Sequence, residues 1–377
     1  MMKKICFVTA IPASAEAFLK DHMAALRKEY EVFYVCNEPD ADNVKAPFDG
    51  YKCVGIERNI SLIKDLKALW QLYRYFRRQK FDAVHSVTPK AGLLTAIAAF
   101  FAGVPVRIHI YTGQVWASKT GVMRTLLKTM DRIISLFDNR ILVDGEGQRQ
   151  FLISNGIISA ENSQVLGAGS ICGVNLERFC KSKEVREEKR KELGIADSTV
   201  VFTFMGRLNR DKGLYELLSA FDRLASERDD VYLLLFGNDE ENVSLSFPDY
   251  TSIKPGENFL WYGPTREPHN MLQAGDVFVL PTYREGFGSS VIEASALGLP
   301  VICSDAYGVM DAMVENVTGL RCKVGDDTTL YQAMVTLADD AESRERFGRN
   351  GYERVVNEFD GNDVTANWVK YYASVLK

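Results

Sequence analysis

The sequence predicts an α/β protein of two doubly wound domains in tandem, each a parallel sheet covered by helices on both faces. Three observations carry that expectation. Short runs rich in Val, Ile, Phe and Tyr alternate with stretches whose apolar residues recur at i, i+3 and i+4. Within the short runs the apolar residues are nearly continuous, as in strands buried on both faces. The chain has 377 residues, more than one hydrophobic core normally serves.

In the first half KKICFVTA, YEVFYVCN, YKCVGI, DAVHSVT, VRIHIYTG and NRILVDG read as strands. Between them AEAFLKDHMAALRKE, SLIKDLKALWQLYRYFRRQ, AGLLTAIAAFFAG and MRTLLKTMDRIISLF read as helices. The second half repeats the scheme. STVVFTFMG, DVYLLLFGN, NFLWYGP, DVFVLPTY, LPVICSD and GLRCKVG are its strands, and KGLYELLSAFDRLASE, REPHNMLQAG, SSVIEASALG and TTLYQAMVTLADD its helices. The stretch QVLGAGSICGVNLERFCKSKE, rich in Gly and Ser and then charged, reads as a linker with a boundary near 180. The expected domains are residues 1–180 and 181–358. Residues 359–377, with caps and an amphipathic pattern, form a last helix returning to the first domain. No short solenoid repeat is present. Two such domains face each other across a cleft, and ligands of these sheets gather at the carboxyl ends of strands beside helix N-termini.

Composition is that of an ordinary globular protein, with 46% apolar and 25% charged residues. The seven cysteines are scattered without CxxC spacing, which points to a reduced, cytoplasmic protein with no structural metal. MMKKICFVTAIP reads as a first core strand rather than a signal peptide. No run reaches the roughly 18 apolar residues of a membrane span. Residues 1–180 carry 23 Lys and Arg against 17 Asp and Glu, a net +6, while the remainder carries 22 against 33, a net −11. A basic first half on an acidic protein points that half toward something anionic, unless the asymmetry is surface drift.

The segment YREGFGSSVIEASALG follows the expected strand DVFVLPTY. Glu285 falls in the turn, Gly286, Phe287 and Gly288 form a tight open backbone, and a helix begins with Ser289 or Ser290 as N-cap. Free N–H groups and the dipole at such a helix start suit a phosphate. Glu293, about one turn in, can look back over the same opening. Ser290-Val291-Ile292-Glu293 also fits a capping box, which needs no ligand. Upstream, MGRLNRDKGLYELL places Gly206 and Arg207 at a strand end and Lys212-Gly213 at a helix start. Two cations there suit a diphosphate, Arg as a fork and Lys as a mobile point charge.

Gly206-Arg207-Leu208 with Lys212-Gly213, EGFGSSVIE from Glu285 to Glu293, and Gly298-Leu299-Pro300-Val301 together resemble the retaining GT-B glycosyltransferases of the glycogen-synthase and sucrose-synthase type. The form TGQVW resembles those that build capsule and O-antigen polysaccharides. The likeness covers nearly the whole chain and is strongest over 199–326. It implies two Rossmann-like domains and roles residue by residue. Arg207 and Lys212 would bind the diphosphate of a nucleotide-sugar, with Gly206 beside them. Glu293 would take the ribose hydroxyls and Glu285 those of the donor sugar near its anomeric carbon. The backbone from Gly286 through Phe287, Gly288 and Ser289 to Ser290 would touch sugar and phosphate, and the base would lie near Trp261 and Tyr262. Arg207, Lys212 and Glu285 would then be catalytic, stabilising the departing diphosphate without a metal or any cofactor beyond the nucleotide-sugar itself, UDP-linked in this reading. The DxD-like Asp40-Ala41-Asp42 reads as a solvated loop.

The first half is expected to hold the acceptor. Relatives in this group carry His-Gly at the strand end that VRIHIYTG supplies, with the histidine near the reacting sugar. Thr112-Gly113 stands there instead. His109, three residues earlier, is left between a catalytic place and a strand-core place, and the departure favours the core. Thr112, Gly113, Gln114 and Trp116 are expected to line the acceptor or sugar pocket. Ser14, in the first loop TAIPASAEAF, is either an acceptor-side residue facing the donor phosphates or an ordinary helix cap. His85 reads as a packing residue, His269 as surface, and His22 carries no signal.

SLIKDLKALWQLYRYFRRQK sets Ile63, Leu66, Leu69, Trp70 and Tyr73 along one side and Lys64, Lys67, Arg74, Arg77, Arg78 and Lys80 elsewhere. Either the stripe packs inward on the sheet, or the helix serves an anionic membrane, or both hold with the cations toward lipid. Lys119, Arg124, Lys128 and Arg132 form a second basic surface. The resulting expectation is a cytoplasmic enzyme, peripheral at the inner face of the membrane. It would move a hexose or N-acetylhexosamine from a UDP-sugar to a lipid-linked glycan in surface polysaccharide synthesis, and would not bind nucleic acid. A nucleotide-sugar epimerase or hydrolase on the same fold, or a non-catalytic nucleotide-sugar sensor, is the alternative. A dinucleotide dehydrogenase is disfavoured because no GxGxxG follows the first strand.

Overall fold

The structure, a computed structural model, describes residues 2–57 and 61–377. Contacts divide these residues into two units, one running up to Cys172 and including Gly361–Lys377, the other Gly173–Asp360. The division falls eight residues before the expected boundary at 180. The Gly- and Ser-rich stretch ends unit one, and the charged residues after it begin a helix, Lys183–Glu192.

Unit one is built on β1 (Lys4–Val8), β2 (Glu31–Cys36), β3 (Gly50–Cys53), β4 (Ala83–Val87), β5 (Val106–Tyr111), β6 (Arg140–Val143) and β7 (Ser163–Val165). All pair in parallel in the order β3-β2-β1-β4-β5-β6-β7. The order reverses between β1 and β4, so the loops after those strands flank a switch point. Strand β7 was not anticipated. It is three residues of mixed polarity, too short to show a period. The first expected helix is two pieces, Pro12–Phe18 and Lys20–Leu26, joined at Leu19. The helix Glu146–Ser154, also unforeseen, follows β6. Asp40 of the DxD-like run caps the short turn Ala41–Asn43, its side chain accepting from Asp42 N–H at 3.0 Å.

The helix Leu62–Gln79 corrects the inward-stripe expectation. Its buried face is Ala68, Leu72 and Phe76, with Asp65 and Leu69 half-buried beside them. Leu62, Ile63, Leu66 and Trp70 point to solvent, and Ile63 is 83% and Trp70 57% exposed. Two apolar rows run along this helix. The row with the small Ala68 faces in because it admits the Ala-rich helix Pro89–Ala102 at close range.

The last helix, Gly361–Val375, closes unit one's core. Trp368 lies between two imidazoles, stacked on His22 at 4.4 Å and on His85 at 5.0 Å between centroids. His22, unremarked in the sequence, is buried. Its Nε2 is 2.7 Å from the carbonyl of Ile171 and its Nδ1 2.9 Å from the Thr365 hydroxyl. A carbonyl only accepts, so Nε2 carries the proton and Thr365 donates to Nδ1. Burial lowers the pKa of His22 to about 4 and that of His85 well below its usual value. His85 Nδ1 is 2.7 Å from the Tyr372 hydroxyl, which fits the packing role.

Unit two is built on β8 (Val200–Met205), β9 (Val231–Phe236), β10 (Phe259–Gly263), β11 (Val277–Leu280), β12 (Val301–Ser304) and β13 (Gly319–Cys322). They pair in parallel in the order β10-β9-β8-β11-β12-β13, with the switch point between β8 and β11. These are the six strands expected. The helix Ala341–Glu358 was not foreseen. Charged residues interrupt its apolar row, and Gly348 and Gly351 on its buried face carry no apolar signal.

Replacing Trp368 with Ala should cost unit one about 3–5 kcal/mol in urea unfolding, because it empties the space between His22 and His85. A loss under about 1 kcal/mol would contradict the stacking.

Candidate active site

Two loops meet at the switch point of unit two. The loop after β8 carries Gly206, Arg207 and Lys212, and the loop after β11 carries Glu285 to Gly288. Gly213 joins them. Its φ is 71°, a region that glycine favours, and a side chain there would overlap the carbonyl of Pro281. Asp211 ties the loops further. Its carboxylate accepts from Arg284 Nε at 2.9 Å and from a terminal guanidinium nitrogen at 2.7 Å. Its carbonyl accepts from Tyr283 N–H at 2.8 Å and from the Thr282 hydroxyl at 2.9 Å.

This brace brings Lys212 and Glu285 together. The ammonium donates to Glu285 Oε1, both side chains are largely buried, and the lysine stem passes over Gly206. Glu285 is fixed from behind as well, since a side chain on Gly308 would overlap its carbonyl oxygen. Arg207 turns outward to Glu240 at 2.8 Å.

The helix Ser289–Ala296 corrects the capping expectation. Its N-cap is Gly288, with φ 86° and ψ 54°, and no side chain among the described residues caps it. The capping box is not formed. Ser289 and Ser290 are the first two helical residues, so their N–H groups open toward the loop. Phe287 points away into the core, 5.3 Å from Phe359 between ring centroids, so only its backbone belongs to the site. Glu293 lies one turn in. Its side chain is partly accessible, yet burial of its carboxyl pushes the pKa up to about 7, with Arg178 pulling against that. Tyr262, on the edge strand β10, is exposed and leans on Phe236 at 6.0 Å. Its neighbour Trp261 is spent on the fold, donating to the Gly237 carbonyl at 3.0 Å. His269 is half-buried rather than surface, accepting from Arg178 Nε at 3.2 Å.

In unit one a cavity of about 330 Å³ opens at the other switch point. Ser14 from the loop after β1, Thr88 to Lys90 from the loop after β4, and Trp116 from the loop after β5 line it. Thr112, Gly113 and Gln114 belong to the segment leading to Trp116 but do not line the cavity. Gln114 is buried and accepts from Gln148 Nε2 at 3.3 Å. His109 corrects the catalytic candidate. It sits mid-strand, fully buried, with Nδ1 2.8 Å from the Ser86 hydroxyl, and Gly92 leaves room for its ring. Burial lowers its pKa to about 3.

Sequence reasoning missed the brace of Asp211 and Arg284, and also Asp131. That aspartate lines the cavity of unit one, nearly fully buried in mid-helix, and accepts from Trp116 Nε1 at 2.7 Å. Its signal was a carboxylate in the apolar register of Leu127 and Ile134. Among the described residues no three His, Cys, Asp or Glu gather as a metal-holding group, and no helix is long and apolar enough to cross a membrane.

The model described as glycosyl transferases group 1 matches residues 185–354, and that described as glycosyl transferase 4-like domain matches residues 15–169. A capsular polysaccharide biosynthesis glycosyltransferase of Staphylococcus aureus, CapM, is 32% identical over 86% of this chain and 85% of its own. The UDP-Gal:alpha-D-GlcNAc-diphosphoundecaprenol alpha-1,3-galactosyltransferase of Escherichia coli is 28% identical over 88% of this chain and 86% of its own. Among solved structures, Anabaena HepE in complex with UDP superposes with a TM-score of 0.80 at 18% identity, covering 99% of this chain and 100% of that one, a likeness of fold. The chain belongs to the GT-B glycosyltransferases, close to the enzymes that build bacterial capsule and O-antigen polysaccharides.

Proposed function

We propose that this glycosyltransferase is retaining, and that it moves a hexose or N-acetylhexosamine from a UDP-sugar to a lipid-linked glycan at the cytoplasmic face of the membrane. The observation that carries the reading is the meeting of Lys212, Glu285 and the uncapped helix start at Ser289 on one switch point. A diphosphate there takes the ammonium of Lys212, the guanidinium of Arg207 and the amides of Ser289 and Ser290. Those charges stabilise the diphosphate as it leaves, and the nucleotide-sugar is the co-substrate with no metal required. Glu285 accepts from hydroxyls of the donor sugar and Glu293 from the ribose.

Energetics favour this exchange. The pair of Arg207 with Glu240 is half-exposed and worth about 0–1 kcal/mol, so a diphosphate can take the arginine at little cost. Lys212 and Glu285 are more enclosed, and parting them is costly unless each gains a partner. A nucleotide-sugar supplies both, phosphate for the ammonium and hydroxyl for the carboxylate. A UDP-sugar donor and a diphosphate-lipid acceptor are supported by the name of the Escherichia coli relative, and UDP by the HepE complex.

Membrane contact is assigned to three helices that lie side by side, Leu62–Gln79, Pro89–Ala102 and Gly121–Phe137. They expose Ile63, Leu66, Trp70, Phe101 and Val122. Arg74 lies 4.6 Å over the Trp70 ring, and Lys119, Arg124, Lys128 and Arg132 stand on or beside the third helix. Exposed apolar side chains together with cations on the same helices suit an anionic lipid surface.

In calorimetry, Lys212→Ala and Glu293→Ala should each weaken UDP binding at least tenfold, a change of about 1.4 kcal/mol. Unchanged affinity in both removes the site assignment, and no new glycosidic bond in a product assay removes the transferase reading. The carboxyl of Glu293 titrates near 7 and the ligand prefers its charged form. UDP affinity should therefore fall as pH drops from about 8 to 6, and Glu293→Gln should flatten that dependence. Flotation with vesicles containing anionic lipid should carry the wild type and lose most of the Ile63→Glu, Trp70→Glu variant, whereas equal flotation of both would refute the docking face.

A further inference from the structure

We infer that Asp211 is a positioning residue of the donor site: by holding the Arg284 guanidinium it keeps that cation off Glu285, so that Glu285 can exchange Lys212 for the hydroxyls of the donor sugar. The inference rests on the transferase reading above. It adds the residue that decides whether the sugar, as distinct from the diphosphate, is recognised.

Glu285 has two cationic neighbours, Lys212 across the loops and Arg284 beside it in sequence. Lys212 donates to it. Arg284 instead gives Nε at 2.9 Å and a terminal nitrogen at 2.7 Å to one carboxylate oxygen of Asp211. None of the four side chains is more than 30% exposed, so their pairing is not dissolved by solvent as a surface pair is.

The carboxylate of Asp211 is not what joins the loops. Its carbonyl does that, accepting from Tyr283 N–H at 2.8 Å and from the Thr282 hydroxyl at 2.9 Å, while Gly213 packs against the carbonyl of Pro281. The segment around Arg284 is pinned as well. The Tyr283 hydroxyl donates to Glu216 Oε1 at 2.6 Å, the Ser304 hydroxyl donates to the Thr282 carbonyl, and Gly308 lies against the carbonyl of Glu285. The backbone keeps its place without the ion pair. What the carboxylate controls is where the guanidinium points.

Without that charge, two enclosed cations share the one carboxylate of Glu285. An arriving nucleotide-sugar separates them. Its diphosphate takes Lys212, and Arg284 is left without a counter-charge, which is costly in an enclosed place. Its planar fork matches a carboxylate, so it takes Glu285, and the sugar hydroxyls meet an acceptor already engaged. The phosphate end keeps Lys212, Arg207 and the amides of Ser289 and Ser290. The signature is a loss confined to the sugar's share of the affinity.

The experiment measures, by calorimetry on the full-length protein, the affinity for UDP and for UDP-glucose, UDP-galactose and their N-acetylamino counterparts. The readout is the ratio of sugar-nucleotide to UDP affinity, followed with the sugar that gives the wild type its largest ratio. Asp211→Asn, which keeps the backbone carbonyl, should lower that ratio about tenfold, the weight of one hydrogen bond to a charged group. Adding Arg284→Gln to it removes the competing cation and should return the ratio to within about threefold of the wild type, a coupling between neighbours that a double-mutant cycle detects. A merely structural tie predicts the double variant to be no better than the single one. Arg284→Gln alone should keep the ratio near that of the wild type, which leaves the inference testable if Asp211→Asn does not fold. An unchanged ratio in Asp211→Asn, no recovery in the double variant, or a tenfold fall in Arg284→Gln alone overturns it. If UDP still binds saturably in that case, the transferase site stands and only the role of Asp211 falls, whereas a wild type that does not bind UDP removes both.

Discussion

Asp211 and Arg284 are the interaction on which the site of unit two depends. Each is the immediate neighbour in sequence of a charge of the candidate site, Asp211 of Lys212 and Arg284 of Glu285. The two ion pairs therefore cross between the loops with opposite polarity, acid to base and then base to acid. The first also has the backbone bonds of Asp211 to Tyr283 and Thr282 behind it, so it can hold the loops while the second opens to a ligand. If Asp211 were lost, Arg284 would be a cation without its counter-charge, poised to take Glu285 from Lys212.

Most of this fold is legible in the sequence because its strands are buried on both faces and so write themselves as unbroken apolar runs. The exceptions follow from the same physics. Strand β7 is only three residues long, and the helices Lys183–Glu192 and Ala341–Glu358 are dominated by charged residues that bury little. The orientation of the helix Leu62–Gln79 could not be settled from its own residues. It has two apolar rows, and the choice between them lies in the neighbouring helix, whose alanines accept Ala68. The loops of unit two were legible because their chemistry is local, with Glu285, the glycines and Glu293 inside nine residues. The brace was not, because it joins positions 73 apart in sequence.

The candidate site of unit two and the cavity of unit one stand at equivalent points of their sheets and carry opposite chemistry. The one in unit two is made of charges and amides, suited to a polyanion. The one in unit one is a largely apolar wall into which the Asp131 carboxylate is set, held by Trp116. This contrast explains why one was readable and the other was not. Charged, Gly-rich loops stand out against a globular background, whereas an apolar pocket is written in the same residues as a core.

His109 shows what a shift along a strand does. The resemblance led to the expectation of a histidine at the strand end, where this chain has Thr112. Three residues earlier the side chain lies mid-sheet, and its ring is received over Gly92 beneath the helix Pro89–Ala102. A ring enclosed there, with Nδ1 against the Ser86 hydroxyl and a pKa of about 3, holds no proton at neutral pH and meets no ligand. In the proposed reaction the transition-state charge therefore falls to Lys212, Arg207 and the helix amides. Thr112 would offer that reaction only a neutral hydroxyl at the strand end, which leaves donor activation to the diphosphate grip.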